Sequence, residues 1–195
     1  MTDPAGNRRG RETRRRILAV AEERFAERGI ELTLDEVARA AATTRMTVHR
    51  HTGGREALVT HLVLRATGRL AESLRAVLDA DAPFGDRLVG ALLMTVSEIR
   101  SAPHLTGLFT AGDPTGAWPV LDPDDRVLAA IHAFFEPYLA AAAADGLLRH
   151  APEPTLDWLL RQVLVFVLVP VAAPTDADVR EQLEAFVLPA VLRAA

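Results

Sequence analysis

Residues Thr33 to Leu58 read TLDEVARAAATTRMTVHRHTGGREAL, and this stretch decides the architecture. Thr33 is a good helix N-cap, and Glu36 stands three residues on, at the spacing of a capping box. Val37, Ala38 and Ala41 then share one helical face. Thr44 caps a second start, followed by Arg45, Met46, Thr47, His49, Arg50 and His51. Gly53-Gly54 breaks the chain, and a third helix starts near Arg55. A short helix, a turn and a second short helix rich in Arg, Thr and His form a helix-turn-helix pattern. The second helix of such a pair enters the DNA major groove.

Upstream, a helix is expected from about Thr13 to Arg28, with Ile17, Leu18, Ala21 and Phe25 on its apolar face and Gly29 ending it. Residues 1–10 are polar and carry Pro and Gly, so a disordered basic arm is expected there. Arg8, Arg9, Arg11, Arg14, Arg15 and Arg16 crowd this approach. Downstream, a long helix is expected over Arg55 to Asp79, long enough to join two domains. Further helices are expected over Phe84 to Ser101, around Leu105 to Ala111, from the Asp122-Pro123 cap to Asp145, over Thr155 to Val169 and over Asp176 to Arg193. Gly112 to Pro119 reads as a loop, and Pro137 should kink its helix. The helix after Thr155 is apolar nearly all round and needs a partner on every side, the second of which can belong to another subunit. No strand alternation or internal repeat is present. The expected fold is all-α with about nine helices: a disordered arm at 1–10, a three-helix unit at 11–58, and a helical domain at 59–195.

The chain has 195 residues, 49% hydrophobic and 25% charged, as in an ordinary globular protein. It has no Cys, which excludes disulfides, thiolate catalysis and Cys-type zinc sites. Net charge is −4, unevenly spread. Residues 1–75 hold 15 Arg against 10 acids, +5, while residues 76–195 hold 7 Arg against 16 acids, −9. A basic front and an acidic back suit a chain with one end on a polyanion. The N-terminus lacks the apolar run of a signal peptide, and the apolar run Val163 to Ala173 has 11 residues, too short to span a bilayer. A cytoplasmic protein without a membrane partner is expected. No His pair has the i, i+4 spacing of a metal site, and neither a Ser-His-Asp arrangement nor a glycine-rich phosphate loop is present. Neither catalysis, nor metal, nor cofactor is expected.

From about Thr13 to Leu62 the chain resembles the N-terminal domain of the TetR family of transcriptional regulators. The resemblance is carried by ILAVAEERFAERG (Ile17 to Gly29), Thr33, EVARAA (Glu36 to Ala41), TVHRH (Thr47 to His51) and REAL (Arg55 to Leu58). It implies a homodimer on palindromic operator DNA, usually a repressor, released by a small molecule. Thr33 and Thr44 are then caps and phosphate contacts. Arg45, Met46 and Thr47 open the recognition helix, and Arg45 suits guanine O6 and N7. Met46 either touches a thymine methyl or limits the helix's approach. His49 stands where the family usually has a phosphate-contacting Tyr. Because protonated imidazole donates more strongly, affinity is expected to rise on mild acidification. Arg50 reads equally as a phosphate contact or a solvated charge, and Arg55 matches a phosphate-contacting position. Thr52 stands where the family usually has Phe under the recognition helix, a loss that should loosen the domain.

The family's second domain implies a pocket, for which Met94, Phe109, Trp118, Phe134, Tyr138, Trp158 and Phe166 are the candidate lining, although each reads first as ordinary core packing. Thr95, Glu98 and His132 are candidate polar contacts. The scarcity of cations favours a neutral or cationic lipophilic inducer. Dimerisation is expected through the last two helices. The rival reading is a small-molecule-binding helical dimer whose DNA-binding domain has decayed, suggested by Met46, His49 and Thr52.

Overall fold

The computed structural model describes residues 4–102, 126–169 and 174–193. Its helices are α1 (Pro4–Arg28), α2 (Leu34–Ala40), α3 (Arg45–Thr52), α4 (Arg55–Leu78), α5 (Phe84–Ser101), α6 (Arg126–Ala144) and α7 (Pro152–Leu168). The last, α8, starts as Asp176–Gln182 and continues through a π-helical turn (Leu183–Val187) into a final turn (Leu188–Val191). Among the described residues the fold is all-α. Its one β feature is an isolated antiparallel bridge between Leu148 and Leu192.

Two bounds differ from the sequence reading. α1 begins at Pro4 rather than Thr13, so the expected arm is helical from Pro4 onward. Proline is tolerated at a first helical position, Arg and Glu favour helix, and Glu12 pairs with Arg15 at 2.7 Å one turn on. The last helix is not a single α-helix. Pro189 has no N–H to offer the carbonyl four residues back, and the chain answers with a wider turn in which the Leu188 N–H reaches the Leu183 carbonyl. Pro137, expected to kink its helix, lies inside α6, which runs on to Ala144. The expected helix at Leu105 to Ala111, the loop at Gly112 to Pro119 and the Asp122-Pro123 cap lie outside the described residues.

Two cores result. The N-terminal one joins Ile17, Ala21 and Phe25 of α1, Val37 and Ala38 of α2, Val48 of α3, and Leu58, Leu62 and Val63 of α4. Val127, in the first turn of α6, belongs to the same cluster. The C-terminal core joins Leu88, Leu92 and Val96 of α5, Leu139 of α6, Leu156, Leu159 and Val163 of α7, and Val179, Leu183 and Val187 of α8. Side chains of these types each stabilise the fold by roughly 1.5–3 kcal/mol when fully buried. α4, at about 1.5 Å per residue, runs from the N-terminal core to the small cluster in which its Leu74 and Leu78 pack with Ala91 of α5. It crosses α5 closely enough that a Cβ on Gly90 would sit 2.9 Å from Val77. By length and composition α6 is apolar enough to cross a membrane, with mean hydropathy 1.5, although in this fold it packs against α4 and α7. The C-terminus is strapped to the α6–α7 turn: the Arg149 N–H donates to the Val191 carbonyl (2.9 Å) and the Arg193 N–H to the Leu147 carbonyl (2.8 Å).

Candidate nucleic-acid interface and ligand cavity

The short helices α2 and α3 are held by caps. The Thr33 hydroxyl accepts the Glu36 N–H (3.3 Å) and donates to the Glu36 carboxylate (2.7 Å), which also accepts the Thr33 N–H (2.9 Å). Those bonds, with Arg28 and Arg39 nearby, hold the Glu36 carboxyl below its usual range. The Thr33 hydroxyl proton is therefore already engaged, and the donors left for an anion are backbone N–H groups of the first turn. Thr44 accepts the Thr47 N–H at 3.2 Å, and the two hydroxyls meet at 2.9 Å. At the far end of α3, Gly53 adopts φ +82°, where a side chain would be strained.

α3 is anchored by one fully buried side chain, Val48, with 0% exposure. Thr47, His51 and Thr52 are partly buried, and Arg45, Met46, His49 and Arg50 are exposed. Arg45 and Met46 project from its first turn, with Met46 74% exposed. His49 and Arg50 project one turn later. His49 leans over the turn into α4, its Nε2 3.5 Å from where a Gly54 Cβ would stand. Arg45 is not loose: its Nη1 lies 3.2 Å from the Asp35 carboxylate on α2. Arg55, in the first turn of α4, donates its Nε to the Leu32 carbonyl at 3.0 Å, tying the start of α4 to the start of α2. Thr52, in place of an aromatic residue, is half-buried, its hydroxyl within reach of the Val48 (3.0 Å) and Gly54 (3.3 Å) carbonyls. It leaves no unmet donor under α3. One exposed helix face and the first turns of α2 and α4 thus carry all eight residues expected at DNA.

A second site lies between α4, α5, α6 and α7: a cavity of about 220 Å³. Its wall is aliphatic and aromatic, as with Leu92, Ile99, Phe134, Phe135, Leu160 and Val163. Among the described residues, the polar side chains on it are Thr67 and Thr95, and the Thr95 hydroxyl already donates to the Ala91 carbonyl at 2.8 Å. Among the described residues, no charged side chain lines it.

Of the expected lining residues, Phe134 is in the wall. Met94, Trp158 and Phe166 are not, which corrects the aromatic-lined expectation. The lining positions of α7 are 156, 159, 160, 163 and 164, and those of α5 are 88, 92, 95 and 99, each one helical face that leaves these three aside. Trp158 and Phe166 pack against the C-terminal core instead, and Met94 packs beside Leu74 and Leu78. Tyr138 lines a separate cleft with Arg87 and Asp145. Burial and the neighbouring Asp79 carboxylate push its hydroxyl pKa up. Phe109 and Trp118 lie outside the described residues. His132 faces Asp157 at 3.1 Å rather than the cavity, and Glu98 is exposed. The lining residues that the sequence reading missed are mostly ordinary Leu, Val, Ile and Ala, with Phe135 and Thr67 among them, and are indistinguishable in sequence from core.

Val63 and Val127 belong to the N-terminal core and also line the cavity. The cavity floor is therefore the roof of the helix-turn-helix domain. A capped helix-turn-helix on a basic N-terminal half, over an apolar chamber in a helical bundle, defines the class of a DNA-binding regulator.

Residues 17–62 match the family described as bacterial regulatory proteins, tetR family. Over 177 residues the chain is 29% identical to an uncharacterised HTH-type transcriptional regulator of Mycobacterium tuberculosis, covering 90% of this chain and 84% of that protein. The fold is that of a TetR-family transcriptional regulator from Vibrio parahaemolyticus (TM-score 0.66, 18% identity, 93% of this chain and 100% of that one). It is equally that of NalD, the secondary repressor of the MexAB-OprM multidrug efflux pump in Pseudomonas aeruginosa (TM-score 0.60, 20% identity, 95% and 100%). The ketosteroid regulator KstR2 of M. tuberculosis shares it too (TM-score 0.56, 18% identity, 93% and 95%). Residues 17–62 thus match the tetR-family helix-turn-helix domain, and the chain as a whole is similar to HTH-type transcriptional regulators.

Proposed function

We propose that the protein is a repressor that binds a palindromic operator as a homodimer, in the cytoplasm, and leaves it when a small neutral lipophilic molecule enters the cavity. The observation that carries this reading is the chamber itself, whose lining among the described residues is uncharged and which is floored by Val63 and Val127 of the DNA-binding domain's core. A charged ligand would lose its hydration there without a partner, whereas an apolar one gains by burial. Occupancy would press on side chains that also set the position of α1 and α4.

The DNA contacts proposed are those of the exposed α3 face and the capped helix starts: Arg45 and Met46 on bases, and Thr44, Thr47, His49, Arg50 and Arg55 toward phosphates, with Thr33 acting through the N-terminus it caps. The second copy is proposed to cover α7 and α8, where Val165 (51% exposed), Val169 (64%) and Phe186 (74%) stand in solvent in the single chain. The decayed-domain alternative is disfavoured by Thr52, whose hydroxyl is bonded, and by the intact caps of α2 and α3.

The test is selection of bound fragments from sheared genomic DNA, then titration of the best fragment at two salt concentrations, with and without neutral apolar compounds. A palindromic site bound with a steep salt dependence, as phosphate contacts require, and released by such a compound supports the proposal. Equal, weak binding to every fragment would overturn it.

A further inference from the structure

We infer that Asp35 is a positioning residue that aims Arg45 at a base, so that α2 as well as α3 sets operator specificity; this rests on the DNA-binding reading above. Arg45 is the first residue of α3, with its side chain 68% exposed, and Asp35 lies in the first turn of α2, 57% exposed. They are ten residues apart in sequence and meet across the helix-turn-helix at 3.2 Å. A pair this exposed adds little to folding stability. What it changes is where a long, flexible guanidinium points.

The neighbours sharpen the reading. Glu36, next to Asp35, is consumed by the Thr33 capping box and by Arg28 at 3.3 Å. Among the described residues, Asp35 has Arg45 as its one ion-pair partner. A lone carboxylate at the first turn of α2, on a surface that meets phosphates, would repel DNA unless a cation neutralised it. Arg45 does so, and in doing so commits one N–H of Nη1 to the protein. The rest of its planar fork stays available for the two acceptors that guanine presents in the major groove. Without the carboxylate, Arg45 is free to swing to the nearest phosphate, which carries no sequence information. Met46, beside it and 74% exposed, sets an apolar surface against the adjoining base pair.

The experiment uses the full-length protein and the operator selected above, with each base pair of a half-site replaced in turn in both halves. Dissociation constants are measured by fluorescence anisotropy for wild type, Asp35→Ala, Asp35→Asn, Arg45→Ala and the Asp35→Ala/Arg45→Ala double variant. Arg45→Ala is expected to erase discrimination at one base pair, a loss of about tenfold or more. Asp35→Ala is expected to lose discrimination at that same base pair, while its affinity for unrelated DNA holds or rises because a negative charge has left the surface. The double variant should match Arg45→Ala alone, and Asp35→Asn, which keeps an acceptor, should recover part of the loss. Undiminished discrimination in Asp35→Ala would overturn the inference. So would effects of the two single variants at different base pairs, or a lowered melting temperature with uniform weakening on every sequence. Wild-type protein that binds all sequences alike would refute the operator reading itself, and this inference with it.

Discussion

The recognition helix hangs on one side chain, and that makes Val48→Ala a sharp perturbation. Val48 is 0% exposed, while no other residue of α3 is buried. The change removes two methyl carbons, roughly 1.6 kcal/mol of transfer free energy at about 0.8 per group. The cavity left behind adds to that, giving a total of about 2 kcal/mol. The caps on Thr44 and Gly53 do not involve this side chain, so α3 should still form yet dock less firmly. An undocking equilibrium moved by that amount shifts about 30-fold, since 1.4 kcal/mol is a factor of ten. Amide exchange in α3 should accelerate by up to that factor, while amides of α5 and α7, in the other core, stay protected as before. Operator affinity should fall by no more than the same factor, because only the docked fraction binds. The melting transition of the N-terminal core should drop by about 4–8 °C for a chain of this length. Hydrogen exchange read by mass spectrometry, with operator titration on the same samples, measures both. Unchanged exchange in α3, or equal acceleration in α3, α5 and α7, would refute the reasoning that Val48 is a local anchor.

Acid should weaken the fold in two stages. Burial, with Arg65 and Arg14 nearby, depresses the pKa of His61 below 6.5 against the opposing pull of Glu22, so the neutral ring is favoured in the folded state and stability falls as pH drops below that value. Glu36 and Asp178, whose caps lower their pKa values, lose their contribution only below their ordinary values of 4.5 and 3.8. Urea midpoints across pH should therefore show the first decline flattened in His61→Gln and the second retained; identical profiles would contradict this. Leu160→Trp, pointing bulk into the 220 Å³ cavity, should abolish binding of a neutral naphthylamine dye without loss of operator affinity, and a sulfonated dye of similar shape should bind neither protein. Undiminished dye binding would place the ligand elsewhere. Phe186→Glu should convert the proposed dimer to monomer in sedimentation velocity, and a persistent dimer would move the interface away from α7 and α8.

The sequence by itself determined what depends on neighbours along the chain. Thr33 and Glu36, or Thr44 and Thr47, are three residues apart, and helix geometry alone brings them together. Val48 was legible as core because, apart from Met46, every other residue of α3 is polar. The all-helical fold, the helix-turn-helix and most helix bounds follow from the same local periods. Tertiary structure decided what depends on residues meeting from afar. Asp35 is an unremarkable first-turn acid until α3 folds back and brings Arg45 within 3.2 Å. Val127 joins the core of a domain that ends far upstream, and so turns the cavity floor into the roof of the DNA-binding unit. The cavity wall is the clearest case. Leu, Val and Ile facing empty space and the same residues facing one another give identical periodicity, because periodicity records which side of a helix is apolar and nothing about how far away the next helix stands.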